Sequence, residues 1–582
     1  MGAWRLHPAE RVAEYTAAGW WDGETTESLL RERVRAHPGR LALVDPLNKP
    51  DLMGRPVRRL SWAELDADVD RFAAVLLRHG IGQGDVVGVQ LPNIVELVSV
   101  YLACWRIGVI VSPLPVQYRE HETVQLGALA DFTAFITAER VGEREIAAEV
   151  DGLRQRLPRL RLLLAYEAAG GEGEGDGAKL PPGAVSLDAE LRSPYDPADV
   201  AAYTREHPVD PNDCVTICWT SGTESTPKGV PRCHNDWLAI AWTCLEAPRM
   251  TADDVLLNPF PMVNMAGFGG LFLPWLRTGC VLVQHHPFDL PVFLRQIAEE
   301  HVTYTVAPPA LLTMLLAREE LLASTDISSL TRIGSGSAPL SPAMVRGWQE
   351  RYGIGVINFF GSNEGTGMLT DPYDVPDPEE RARYFPRYGV PGVEWSTRGA
   401  RWTKVRIVDT ATGADIEEPG RPGELRIKSP QVFAGYLKGT DLPSPFDDRG
   451  YLRTGDVFEI AGDRGQFLKY VDRAKDVVIR GGMNIAPAEL EELIAGHPAV
   501  AEVAVVGYPD EVLDEKICAV VVARSPLVLE DLVGYLKERH IASYKLPERL
   551  ELRDELPRNP VGKVLKRVLR ASVVEEERTH GR

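Results

Sequence analysis

Residues 215–229 read VTICWTSGTESTPKG, and the interpretation of the whole chain turns on them. A β-branched run, Val215-Thr216-Ile217, enters a stretch of small hydroxyl-bearing residues and glycine that closes on Lys228. Short side chains let backbone N–H groups approach an anion, hydroxyls donate to it, and a lysine supplies a point charge, so the stretch suits a phosphate cradle. It is not a Walker A loop: Pro227 occupies the place of the second glycine, and Gly229 stands where a Ser or Thr would hold magnesium. Taken alone, the same residues could also form a polar surface turn.

Working outward, Val/Ile-rich runs alternate with helical patterns. Asp85–Leu91 is followed by Ile94–Trp105, and Val302–Ala307 by Pro309–Ala317. Such alternation predicts an α/β fold of parallel-rich sheets covered by helices. Ser61, with Glu64 three residues on, predicts a capping box for a helix to Arg78. GGEGEGDGAKLPPG at 170–183 has no periodicity and is expected to be a surface loop. After a predicted strand over Gln466–Val471 comes the charged cluster DRAKD at 472–476. Beyond it lie two predicted helices, Pro487–Ile494 and Leu529–His540, and two strands, Ala501–Gly507 and Ile517–Ala523. These suffice for a smaller α+β domain with a core of its own. The expected division is 1–474 and 475–582, with a hinge at the boundary.

The 582 residues carry 64 basic and 83 acidic side chains, a formal charge of −19, with 44% hydrophobic residues. That composition excludes a disordered, collagen-like or disulfide-scaffold chain, and the charge argues against nucleic-acid or polybasic membrane binding. The seven cysteines are odd in number and mostly embedded in apolar runs, which predicts buried thiols rather than disulfides or a zinc site. The N-terminus has no apolar signal core. The longest apolar run, Leu97–Trp105, is well short of the roughly 20 residues that span a bilayer. A soluble, cytoplasmic protein is expected.

Three more segments join the glycine-rich one in order: FGSNE at 360–364, YLRTGD at 451–456 and NPVGK at 559–563. Together the four resemble, across essentially the whole chain, the adenylate-forming superfamily of acyl-CoA synthetases, adenylation domains and firefly-type luciferases. The resemblance implies that Thr220, Ser221, Gly222, Thr223 and Lys228 hold the ATP phosphates. It implies that Gly336, Ser337, Ala338 and Pro339 make room for adenine, that Asn358 and Phe360 contact it, and that Gly361, Ser362 and Asn363 continue the nucleotide wall. Glu364 is implied as the Mg²⁺ ligand, Asp456 and Arg473 as ribose contacts, and Lys475 as the hinge. Lys563 is implied as the catalytic lysine of adenylation, and Gly481 and Gly482 as the passage for a pantetheine arm. Glu224 and Ser225 depart from the family's usual Thr and Gly. Asn363 stands where Thr is usual, so a hydroxyl contact to the α-phosphate is expected to be missing.

The implied reaction makes an acyl-adenylate and then transfers the acyl group to a thiol. The acid pocket is expected along residues 260–270, with Asn264, Met265, Gly267 and Phe268 as contacts, and with Gly336. GWWDGET at 19–25 and YKLPER at 544–549 resemble cyclohexanecarboxylate–CoA ligases and dihydroxybenzoate–AMP ligases. The catechol-reading Asn and Ser of the latter would fall on Met265 and Gly270. These cannot read phenols as those do, which favours an apolar acid: aromatic, alicyclic or medium-chain. CoA is the expected acceptor and a separate acyl carrier protein the rival; a homodimer is left open. A member that binds nucleotide without turnover, as a scaffold, is the alternative of a different class.

Overall fold

The computed structural model describes residues 2–168, 180–220, 227–365, 367–437, 442–473, 476–480, 483–510, 513–539, 541, 545–558 and 564–580. Among these residues, two large parallel-rich sheets and an antiparallel one make the N-terminal body. A seven-stranded sheet runs, in spatial order, Ala184–Ser186, Leu162–Tyr166, Ala134–Ala138, Val86–Val89, Ile110–Pro113, Cys214–Thr220 and Lys228–Cys233. All its neighbours are parallel except the last pair. The central strands are buried on both faces, which explains their unbroken apolar composition.

An eight-stranded sheet takes Gly367–Thr370, Gly355–Gly361, Arg332–Gly336, Tyr304–Val306, Val255–Asn258, Val281–Gln284, Leu41–Val44 and Arg59–Ser61, antiparallel only at its two edges. The two sheets share one core, where Trp62 stacks on Trp275 at 4.8 Å. A five-stranded antiparallel sheet includes Gly423–Lys428, Leu452–Ala461 and Phe467–Arg473. The C-terminal unit pairs Val500–Asp510 with Asp514–Ala523 and packs the helix Pro487–Ala495 against them.

The expected fold class is the one observed. The helix Trp62–Arg78 starts on the Ser61–Glu64 capping box, and all seven cysteines are buried. One boundary differs: the strand predicted to stop at Val471 runs through Arg473, because Asp456 and Arg473 pair across it. Within its last two residues, the Asp472 carboxylate accepts the Ala488 N–H at 2.9 Å, tying the strand to the first C-terminal helix. The loop expected at 170–183 falls largely outside the described residues. No helix among the described residues is long and apolar enough to cross a membrane.

Candidate active site

The strand Cys214–Thr220 ends at the stem of the glycine-rich loop, where Thr220 pairs with Lys228 and Trp219 with Gly229. Ser221, Gly222 and Thr223 lie outside the described residues. The stem is anchored by Trp219, whose indole N–H donates to Ser112 Oγ at 2.8 Å. Lys228 is half-buried, with Nζ 5.5 Å from the centre of the Tyr436 ring.

Tyr436 reaches from Lys228 to Glu364: its hydroxyl donates to Glu364 Oε1 at 3.1 Å. Burial, then the Glu364 charge and that hydrogen bond, raise the Tyr436 pKa, so the phenol keeps its proton. The Glu364 backbone is fixed as well, its carbonyl accepting the Phe433 N–H at 3.0 Å. Gly365 follows at φ +98°, where an added Cβ would lie 1.9 Å from the Gln431 carbonyl oxygen. Only glycine permits both this conformation and this approach. Arg232, wholly buried, donates to the Asn363 carbonyl at 2.7 Å and to the Gln431 carbonyl, and lies over Trp237 at 4.6 Å. Burial holds its pKa below the usual guanidinium value.

Asp456 and Arg473 face each other across antiparallel strands and form an ion pair at 2.7 Å. Burial alone would lower the Arg473 pKa; Asp456, with Tyr470 and Glu364, raises it overall. Beside them Phe360 packs edge-on to Phe458 at 5.0 Å and near Phe385 and Tyr470. Asn358 donates its amide to the carbonyls of Arg381 and Ala382 at 3.1 and 3.0 Å, which leaves Oδ1 as its atom suited to a purine. Gly336 is needed for packing, since a Cβ would lie 2.3 Å from the Phe359 oxygen. Ser337 adopts φ +68°, a left-handed conformation unusual for a non-glycine residue, and with Ala338 and Pro339 it is exposed.

The expected acid segment divides. Asn264 caps the short helix Met265–Gly267, its Oδ1 accepting the Ala266 and Gly267 N–H groups at 3.1 and 3.4 Å. Phe268 is fully buried, packed against Tyr101 at 5.3 Å and Trp237 at 5.4 Å. Gly267 is likewise a packing residue, since a Cβ would lie 2.3 Å from the Pro261 oxygen. Residues Phe268–Phe272 form a π-helical turn, a form often found at functional sites. In that turn Gly270 is buried, yet a Cβ there would meet no described heavy atom within 4 Å. Room for a larger group is therefore seen at Gly270, whereas a Cβ at neighbouring Gly269 would lie 2.9 Å from Met265 Sδ.

Asn363 also differs from expectation. Its side chain is turned to the protein, taking the Met265 N–H at 2.8 Å and donating to the Trp219 carbonyl at 3.2 Å. Tyr436, Arg232 and Gln431 were not predicted; Tyr436 lies in VFAGYL at 432–437, where no motif spacing marks it. Lys475, Gly481, Gly482 and Lys563 lie outside the described residues.

Residues from three sheets thus come together: Lys228 with Glu364 through Tyr436, and Glu364 close enough to act on the Arg473 charge. The family described as AMP-binding enzyme matches residues 30–437, and its C-terminal domain family matches 489–563. The salicyl-AMP ligase / salicyl-S-ArCP synthetase of Mycobacterium tuberculosis is 32% identical over 98% of this chain and 94% of its own length. The indoleacetate–CoA ligase of Aromatoleum aromaticum is 32% identical over 90% and 94%. The ATP-bound RpMatB–BxBclM chimera B3 superposes with a TM-score of 0.74 at 26% identity, over 95% of this chain and 99% of the other. The chain belongs to the AMP-binding, adenylate-forming enzymes. It is an AMP-forming acid–thiol ligase that activates a carboxylic acid with ATP.

Proposed function

We propose that the acid is apolar (aromatic, alicyclic or medium-chain) and that the acceptor is coenzyme A. The observation that supports this reading is that Lys228, Glu364 and the Asp456–Arg473 pair are joined, through Asn363 beside Glu364, to the apolar segment that begins at Met265 and holds the unobstructed Gly270. A carboxylate oxygen attacks the α-phosphorus of ATP, the bond from that phosphorus to the bridging oxygen breaks, and pyrophosphate leaves. The thiol sulfur then attacks the acyl carbon; the C–O bond breaks, AMP departs with its electrons, and the thiol proton passes to solvent.

In this scheme Thr220, Ser221, Gly222, Thr223 and Lys228 hold the β- and γ-phosphates, and Asp456 with Arg473 holds the ribose. Gly336 to Pro339, Asn358 Oδ1 and Phe360 frame the purine. Glu364 fits Mg²⁺, because a carboxylate oxygen is the hard donor that ion takes; the ion would neutralise phosphate charge. Lys563 stabilises charge shared by the carboxylate and the α-phosphate as the anhydride forms. The domains divide at 474/475, with Lys475 as hinge, and Gly481 and Gly482 give passage to the thiol arm. An acyl carrier protein is the second reading, favoured by the Mycobacterium tuberculosis relative, whose description includes a carrier-linked product.

The test uses purified protein with ATP and benzoate, phenylacetate, cyclohexanecarboxylate or octanoate, and either CoA or a holo-aryl carrier protein. Acid-dependent pyrophosphate release with acyl-CoA in the mass spectrum is expected. Loaded carrier without acyl-CoA selects the second reading, and no acid-dependent exchange of pyrophosphate into ATP leaves only a scaffold. Gly270→Val should weaken use of the ring acids about 5- to 150-fold, the scale of overpacking by about 1–3 kcal/mol, and octanoate less. An equal loss for every acid would remove Gly270 from the pocket.

A further inference from the structure

We infer that Asn363 is a positioning residue that couples the acid subsite to the phosphate subsite, so that filling one strengthens the other. The inference rests on the function proposed above. The amide of Asn363 faces two segments far away in sequence. Oδ1 accepts the N–H of Met265, the first residue of the short helix opening the acid segment, and Nδ2 donates to the carbonyl of Trp219, next to last in the strand feeding the phosphate loop. The orientation is dictated by the partners: a backbone N–H can only donate and a carbonyl can only accept, so the oxygen end must face Met265 and the nitrogen end Trp219.

Each link meets a need of its own. The Met265 amide begins a helix and has no partner within it. The Trp219 carbonyl lies beside the pairing of Thr220 with Lys228, at the mouth of the loop. Neither link can slacken by movement of residue 363, because its backbone is held from behind. The Asn363 carbonyl takes a hydrogen bond from buried Arg232, Glu364 is bonded to Phe433, and Gly365 is pressed onto Gln431. A shift of the acid segment is therefore passed through one rigid amide to the stem carrying Lys228, beside the residue proposed to hold Mg²⁺. The Thr usual in the family carries one hydroxyl a single bond beyond Cβ, a bond short of the amide oxygen and nitrogen that Asn363 extends to its two partners. The replacement that reads in sequence as a lost phosphate contact thus acts as a clasp.

The test is calorimetric binding of α,β-methylene-ATP and of benzoate, phenylacetate, cyclohexanecarboxylate and octanoate, each alone and with the other ligand present. The tightest-binding acid and the nucleotide analogue should strengthen each other in the unmodified protein by about 5- to 150-fold, the usual range for coupled sites. In Asn363→Ala the factor should fall to within twofold of unity while the analogue alone still binds. Asn363→Asp, nearly isosteric, keeps the acceptor for Met265 but loses the donor to Trp219, and should lose the coupling too. A role in folding alone would lower the melting temperature and leave the factor intact, so full coupling in either variant overturns the inference. So does a factor near unity in the unmodified protein when both ligands bind. Absence of any acid-dependent pyrophosphate exchange by the unmodified protein overturns the function reading and the clasp with it; persistence of exchange with coupling intact in the variants overturns the clasp alone.

Discussion

At the ribose end of the cleft, Asp456 and Arg473 meet at 2.7 Å because the register of two antiparallel strands sets them opposite each other. At the phosphate end, Lys228 and Glu364 are linked through Tyr436, with 5.5 Å from Nζ to the ring and 3.1 Å from hydroxyl to carboxylate. The first pair is fixed by backbone and includes a nearly buried carboxylate, at 4% side-chain exposure. The second arrangement hangs on long side chains that can turn toward an incoming charge. One end is prebuilt and contributes to the fold; the other is held ready. Removing a residue at the first should therefore cost both binding and stability, and at the second, binding and rate alone.

The largest effect is expected from Lys228→Ala. Removing one donor aimed at charge that develops in the transition state typically costs about 10²–10³ in rate, and pyrophosphate exchange should fall by that factor with the melting temperature nearly unchanged. A loss below tenfold would show that the phosphates are held elsewhere. Next comes Asp456→Ala, which removes charged hydrogen bonds worth about 1.5–3 kcal/mol each. ATP affinity should fall by one to two powers of ten, and here the melting temperature should fall as well. Equal thermal stability of the two variants would break the contrast between the ends.

What the sequence made legible follows from how local each signal is. The Ser61–Glu64 cap and the alternation of strands and helices act over a few residues, and they appear in the fold as read. Phe268, expected in the acid pocket, packs against Tyr101 in the aromatic core, while a Cβ at Gly270, two residues on in the same π-helical turn, would meet no described heavy atom within 4 Å. Asn363 was read as a missing hydroxyl. Its real partners are 98 and 144 residues away, a separation no motif encodes. Tyr436 stayed hidden for the same reason, lying 72 residues from Glu364.

Tyr436→Phe is the smallest change and the sharpest probe of the contrast. It deletes the hydrogen bond to Glu364 and keeps the ring beneath Lys228. Glu364 is half-buried, so water can replace the hydroxyl, and the net loss should be about 1 kcal/mol. It should appear as a rise below tenfold in KM for MgATP with kcat little changed. Tyr436→Ala removes the ring too and should cost more, through Lys228; equal losses in the two variants would mean that the ring does not hold the lysine. The direction of the Tyr436 pKa adds a constraint. Burial and the Glu364 charge raise it above its ordinary value of about 10, so the phenol stays protonated from about pH 6 to about pH 10. The pH profiles of the natural protein and of Tyr436→Phe should then run parallel across that range. A divergence that grows toward the alkaline side would mean the hydroxyl ionises during turnover, and the phosphate end would contain a proton donor rather than a strut.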